Sequence, residues 1–229
     1  TAGQGRIGQF SFLVLMFFLM IVGIIYVEQG QRRIPIQFAK RVRGRKVMGG
    51  QSTYIPLKVN SAGVIPVIFA TSVLFFPALI ATSLPQDNSI TAGIRNWIDV
   101  NLANSQGTSW FYIFFLGMLI IFFTYFYTTI QFDPVRQSDM IRRQGGFVPG
   151  VRPGISTTNY LSHIISRITL PGSVFLASVA VLPSIASAIW DIPLGFSGIS
   201  ILITVGVALE TMKQIESQLS MRNYEGFID

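Results

Sequence analysis

Five stretches of this chain contain no Asp, Glu, Lys, Arg or His: 10–27, 64–84, 110–130, 168–189 and 194–209. An unbroken run such as Phe10 to Val27, 18 residues long, spans as a helix about 27 Å, close to the hydrocarbon thickness of a bilayer. Backbone polar groups in lipid must be satisfied within the protein, and a helix does so within one segment. The runs therefore predict five transmembrane helices and an all-α polytopic membrane protein. Composition agrees, since 50% of the 229 residues are apolar and only 12% are charged, against about 25% charged in soluble domains. No charged region precedes the first run, so it does not read as a signal peptide. The odd span count and the start at Thr1 lead us to expect a piece of a longer chain.

The cations give an orientation. The loop 28–63 carries eight Lys and Arg, the loop 131–167 carries five, and the tail adds Lys213 and Arg222. The other side has only Arg6 and Arg95. Basic loops stay in the cytoplasm, so the N-terminus and the loop 85–109 are expected outside and the C-terminus in the cytoplasm.

Both basic loops carry signals of order. Two β-prone runs, Arg33 to Val42 and the QSTYIPLKV segment, flank a tip containing Arg41, Arg43, Arg45, Lys46 and Gly49-Gly50. That pattern predicts a cytoplasmic β-hairpin, with Pro35 and Pro56 restricting its strands to edge-like pairing. Asp133-Pro134 is an N-cap followed by proline at the first helical position. A short helix should follow to about Gln144 and stop at Gly145-Gly146. Residues 147–154 are too rich in Pro and Gly for helix or ladder, and should form a stiff loop presenting Arg152. Ser156 or Thr157 should cap the next helix, which carries His163 and Arg167 into the fourth span. Outside, Ile90, Ile94, Trp97, Ile98 and Leu102 have the spacing of an interfacial helix.

Catalysis has little support in these residues. Without cysteine, and with His163 the single histidine, thiolate chemistry and histidine-rich metal sites cannot be assembled from this chain. The carboxylates lie in loops or tails without close pairing. No enzyme activity, metal or cofactor is expected. A secondary transporter half is the rival class, because Pro66, Pro77, Pro171 and Pro183 could mark broken helices of the kind that carry substrate sites. Coupled carriers normally bury ionisable residues in their spans, and these spans have none. The basic loops either only set topology or also contact a polyanion or an acidic protein face in a salt-sensitive way. Clustering of cations at one tip favours contact.

The segments GQRRIPIQFAKR (30–41), QSTYIPLKVNSAGVIPVIFA (51–70), FFPALIA (75–81) and GGFVPGVRPG (145–154), in this order among five spans, resemble the C-terminal half of the SecY family. Its members are central subunits of the bacterial protein-conducting channel. The resemblance covers essentially the whole chain. It implies spans six to ten of a ten-span inverted-repeat channel in the bacterial plasma membrane, passive, with an apolar ring at its waist and a lateral gate. It further implies the N-terminal half of the same channel, SecE and SecG as neighbours, and SecA or the ribosome as the source of drive. Signal peptides, nascent chains and membrane lipids are the other expected partners.

Matched motif by motif, the resemblance makes Ile68 and Ile203 pore-ring residues. It makes the second and third spans one wall of the lateral gate, with Thr71 and Ser72 giving it polar character. Arg152 matches an arginine used for motor engagement. Arg32, Arg33, Arg45 and Lys46 match the hairpin that ribosome and motor share, where Lys46 replaces the arginine of some relatives. A lysine keeps the point charge there and loses the bidentate fork.

Overall fold

The computed structural model describes residues 2–38, 41–43, 46–48, 52–83, 89–102, 109–190 and 197–225. Five of its helices are long and apolar enough to cross a membrane: α1 (Ala2–Gln29), α2 (Ile65–Ser83), α4 (Trp110–Gln131), α6 (Ile155–Trp190) and α7 (Gly198–Glu225). Two short helices, α3 (Ser89–Asn101) and α5 (Pro134–Arg143), lie in the connections. The long helices are apolar on their outward faces as well as their buried ones. Phe18, Phe75, Phe114 and Phe122 are all exposed, as expected where lipid or further protein replaces water. This is a multi-pass membrane protein.

The membrane core centres on α4 and α6, the most extensively packed helix pair, with α2 against the other side of α4. Leu116 and Ile120 of α4 meet Leu176, Val179 and Ala180 of α6, and Val67, Ala70 and Leu74 of α2. Met20 and Ile24 of α1 and Ile201 and Leu202 of α7 complete it. Thr124, inside its span, turns its hydroxyl back on the Ile120 carbonyl of its own helix at 2.7 Å. Small residues set the closest approaches, the usual means of packing helices in lipid. Gly172 of α6 lies directly beneath the Val59 carbonyl, where a Cβ would come within 2.7 Å of the oxygen.

Pro77 sits inside α2, and Pro171 and Pro183 inside α6, yet both helices are continuous. Pro66 occupies the first turn of α2, where a missing N–H costs nothing. These prolines are tolerated within spans rather than breaking them.

On the basic side a second body has its own core. Strands β1 (Gln31–Phe38) and β4 (Ser52–Lys58) pair antiparallel, from Gln31 opposite Lys58 to Gln37 opposite Ser52. A separate pair, β2 (Arg41–Arg43) and β3 (Lys46–Met48), continues toward the tip. The hairpin is thus more than two runs around a turn. Ile34, Ile36 and Leu57 pack with Ile141 of α5, Val148, and Leu161 and Ile164 of α6. The two basic loops therefore form one unit. Because α6 contributes to both cores over 36 residues, about 54 Å of helix, it joins that unit rigidly to the membrane bundle.

Three expectations need correction. Phe147 does enter a ladder: β5 (Gly146–Phe147) pairs with β1, Gln37 opposite Phe147. One residue after Gly145, at φ +73°, the chain is already re-extended, and the buried Val148 holds it against the sheet. Consequently β1 is the central strand of three; β5 stops short of Pro35, while Pro56 lies on the edge strand. Finally, neither Ser156 nor Thr157 caps α6. The helix starts at Ile155, with the Gly154 carbonyl accepting from the Thr157 and Thr158 amides. Gly154 is at φ +110°, a conformation open to glycine at little cost.

The cap at Asp133 is present. Its Oδ1 accepts from the Val135 amide at 2.9 Å and the Arg136 amide at 3.3 Å. Asp133→Ala should cost α5 about 1 kcal/mol, read as faster amide exchange over 135–143 with the exchange of α4 unchanged. Equal exchange in both proteins would mean that tertiary packing alone holds α5.

Candidate functional site

The residues singled out by the sequence fall on two surfaces. The first lies on α2 and α7. Helix α2 buries Pro66, Val67, Ala70, Leu74, Ala78 and Ala81, a stripe at helical spacing that faces α4. Phe69 adds ring contacts across that seam, 5.4 Å from Tyr127 and 6.1 Å from Phe123 between centroids. Ile68 and Ser72 lie off the buried stripe, and Ile68 is 44% exposed.

Ile203 is half-buried on α7, beside the core residues Ile201 and Leu202. Helix α7 approaches the residue just before α2 where Gly206 faces Val64, with a glycine Cβ position 3.7 Å from Val64 Cγ1. Helix α2 leaves the basic side as it proceeds, and α7 returns toward it. Ile68 lies about one turn past Val64, and Ile203 just under one turn before Gly206. Both are therefore displaced the same way from this contact, to a similar depth.

Thr71 and Ser72 present less free polarity than their composition suggests. Thr71 Oγ1 donates to the Ile68 carbonyl at 2.9 Å, with the Val67 carbonyl at 3.1 Å, and Ser72 Oγ donates to the Ile68 carbonyl at 2.8 Å. The hydroxyl protons are used within α2.

The second surface is the basic unit. Arg32 and Arg33 are at the membrane end of β1, opposite Leu57 and Pro56, and not at the tip. Arg33 lies over Tyr54, its guanidinium carbon 4.8 Å from the ring centroid, a cation–π contact that holds the charge on the sheet surface. Arg41 and Arg43 are on β2 and Lys46 on β3, with Arg43 opposite Lys46. Arg45 lies outside the described residues. Arg152 is exposed in a braced loop: the Val151 amide donates to the Val148 carbonyl at 3.1 Å, and Thr157 Oγ1 donates to the Arg152 carbonyl at 2.9 Å. Ser138 Oγ of α5 donates to the Gly154 carbonyl at 3.1 Å. The backbone is fixed while the guanidinium is free to reach a partner.

Sequence reasoning missed Tyr54, Thr157 and Ser138 as supports. Tyr54 could have been found from strand alternation, since it and Arg33 share the outward face. The two hydroxyl braces depend on tertiary placement that no local spacing encodes. Among the described residues no three His, Cys, Asp or Glu side chains gather as a metal site.

The matches with known proteins follow the same elements. The SecY family model matches residues 2–212. The chain belongs to the SecY family. The protein translocase subunit SecY of Streptomyces scabiei is 49% identical over 226 residues, covering 96% of this chain and 49% of the relative. That of Thermus thermophilus is 46% identical, covering 100% of this chain and 52% of the relative. The chain thus spans about half the length of the curated SecY relatives it matches. A solved structure described as a protein conducting channel aligns with a TM-score of 0.55 at 16% identity, over 94% of this chain and 51% of that one. A SecY structure concerned with the plug domain aligns with a TM-score of 0.56 at 17% identity, over 94% and 52%. At such identities these two speak for the SecY fold.

Proposed function

We propose that this chain is the C-terminal half of a SecY-type protein-conducting channel in a bacterial plasma membrane, N-terminus outside and C-terminus in the cytoplasm. The observation that carries the reading is that Ile68 and Ile203 lie in the charge-free runs of α2 and α7, each about one turn from the Gly206–Val64 approach, in a chain whose relatives are protein translocase subunits. A narrow apolar ring offers a hydrated ion no ligands, yet its side chains can yield to a passing peptide. The channel performs no covalent chemistry, and its drive comes from the ribosome or SecA acting on the basic unit. The other half of the channel, SecE and SecG complete it, and nascent chains and signal peptides are its cargo.

The internal bonding of Thr71 and Ser72 supports a lateral gate on this side of α2. A wall whose hydroxyls are satisfied within its own helix can part without leaving donors unpaired in lipid. The transporter alternative loses its footing, because its premise was broken helices and the proline-bearing helices are continuous.

The test uses the absence of native cysteine. A single cysteine at Ile68, in the channel reassembled with its other half, should crosslink to an arrested secretory chain. The crosslink should depend on that chain and be missing at an exposed control such as Phe76 of the same helix. Absence of crosslinking at both Ile68 and Ile203, with the chain demonstrably engaged, would remove the pore-ring assignment.

A further inference from the structure

Between the basic-side ends of α4 and α6 lies a cavity of about 130 Å³ with hydroxyls on six of its lining residues: Tyr125, Thr128, Thr129, Ser162, Ser166 and Thr169. The rest of its wall is apolar, chiefly Phe132 and Ile165, and no charged side chain lines it. Two of the hydroxyls are used locally. Thr129 donates to the Tyr125 carbonyl at 2.9 Å, and Tyr125 reaches the Ser166 carbonyl at 3.4 Å.

Thr128 and Thr169 behave differently. Each is only 4% exposed, and neither hydroxyl bonds to any described residue. On the same helix, Thr124 and Thr129 satisfy themselves on the preceding turn. Neither oxygen is sealed off, since among the described residues Asn60 Oδ1 is the one sealed side-chain polar atom without a partner; both hydroxyls are therefore open to a hydrogen-bonding occupant of the cavity they line. Volume and polarity limit what it can be. The space takes a few waters, or one small group that replaces them. With no cation in the wall, a phosphate would find no counter-charge, whereas a neutral polyol would find both donors and acceptors.

Depth narrows the source. Arg167 immediately precedes the apolar run of α6, and Asp133 closely follows that of α4, so the cavity straddles the headgroup level. We propose that it is a binding site for a neutral polyol, the glycerol-type head of a lipid in the basic-side leaflet, held by Thr128 and Thr169. The proposal requires only that the helices span the membrane; it does not depend on the channel reading.

The test uses the reassembled channel in detergent micelles, with monoolein as the glycerol-headed probe and methyl oleate as its equal without a diol. Retention is read by native mass spectrometry. Monoolein should be retained in preference to methyl oleate, and Thr128→Val/Thr169→Val should weaken its retention about tenfold. Each single variant should give part of that loss. Valine is nearly isosteric with threonine and removes unpaired hydroxyls, so thermal stability should hold, which separates lost binding from lost fold. Equal retention of the two probes, or retention unchanged in both single variants and the double, would overturn the proposal and leave a pocket of water. Displacement of monoolein by equimolar free glycerol would overturn the lipid source.

Discussion

Gly172→Val is expected to destabilise the chain by about 3 kcal/mol or more, at the upper end of what overpacking a core costs. The cause is the position of the obstacle. A Cβ at Gly172 meets the Val59 backbone oxygen at 2.7 Å, and a carbonyl has no rotamer by which to withdraw. Nor can its peptide shift freely. The Val59 amide donates to the Gly30 carbonyl at 2.9 Å, and the neighbouring Asn60 side chain donates to Glu28 Oε2 at 2.9 Å. The segment after β4 is thus tied to the end of α1 while it rests on α6. A larger residue at 172 must lift the base of the hairpin or bend the helix that carries both cores. Gly117→Ala is the control, since a Cβ there reaches only Val181 Cγ2 at 3.9 Å. Thermal unfolding in detergent should separate the two clearly. A Gly172→Val protein within about 0.5 kcal/mol of its parent, the usual range for innocuous substitutions, would mean that this joint is far softer than its bonds suggest.

Glycine 172 also marks where sequence reasoning stops. The spans were legible because lipid leaves few options: a charge-free run long enough to cross must be helical, whatever packs against it. The cap at Asp133 was legible because capping is a matter of adjacent residues. The hairpin was legible from alternation in Arg33 to Val42, with Ile34 and Ile36 on its buried face. What failed was decided between distant segments. Phe147 was expected to lie outside any ladder because its neighbours are Pro and Gly, yet Gln37 lies opposite it. Thr157 was expected to cap its own helix, but its hydroxyl goes to the Arg152 carbonyl instead. A hydroxyl near a helix start can serve either partner, and only the fold of the preceding loop decides. The placement of Arg41, Arg43 and Lys46 on one strand pair, and of Arg32 and Arg33 at the other end of β1, needed the strand register.

The braced loop yields the second large effect. Arg152→Glu should lower motor-driven export tenfold or more, as expected when reversal turns a contact charge against its partner, while the amount of channel in the membrane stays unchanged. Stability should barely move, because the side chain is exposed and forms no hydrogen bond or ion pair with the described residues. The loop is held by backbone and by Thr157, Ser138 and Val148, none of which needs the guanidinium. Two further variants separate charge from shape. Arg152→Lys keeps the charge and loses the fork, so it should retain an intermediate rate if contact is partly bidentate. Thr157→Val keeps Arg152 but removes the bond to its carbonyl; it should impair export less than charge reversal does, and slow the assay by loosening the loop. If Arg152→Glu exports normally at normal channel levels, the loop is not a motor contact. The cations of β2 and β3 would then be the next surface to reverse.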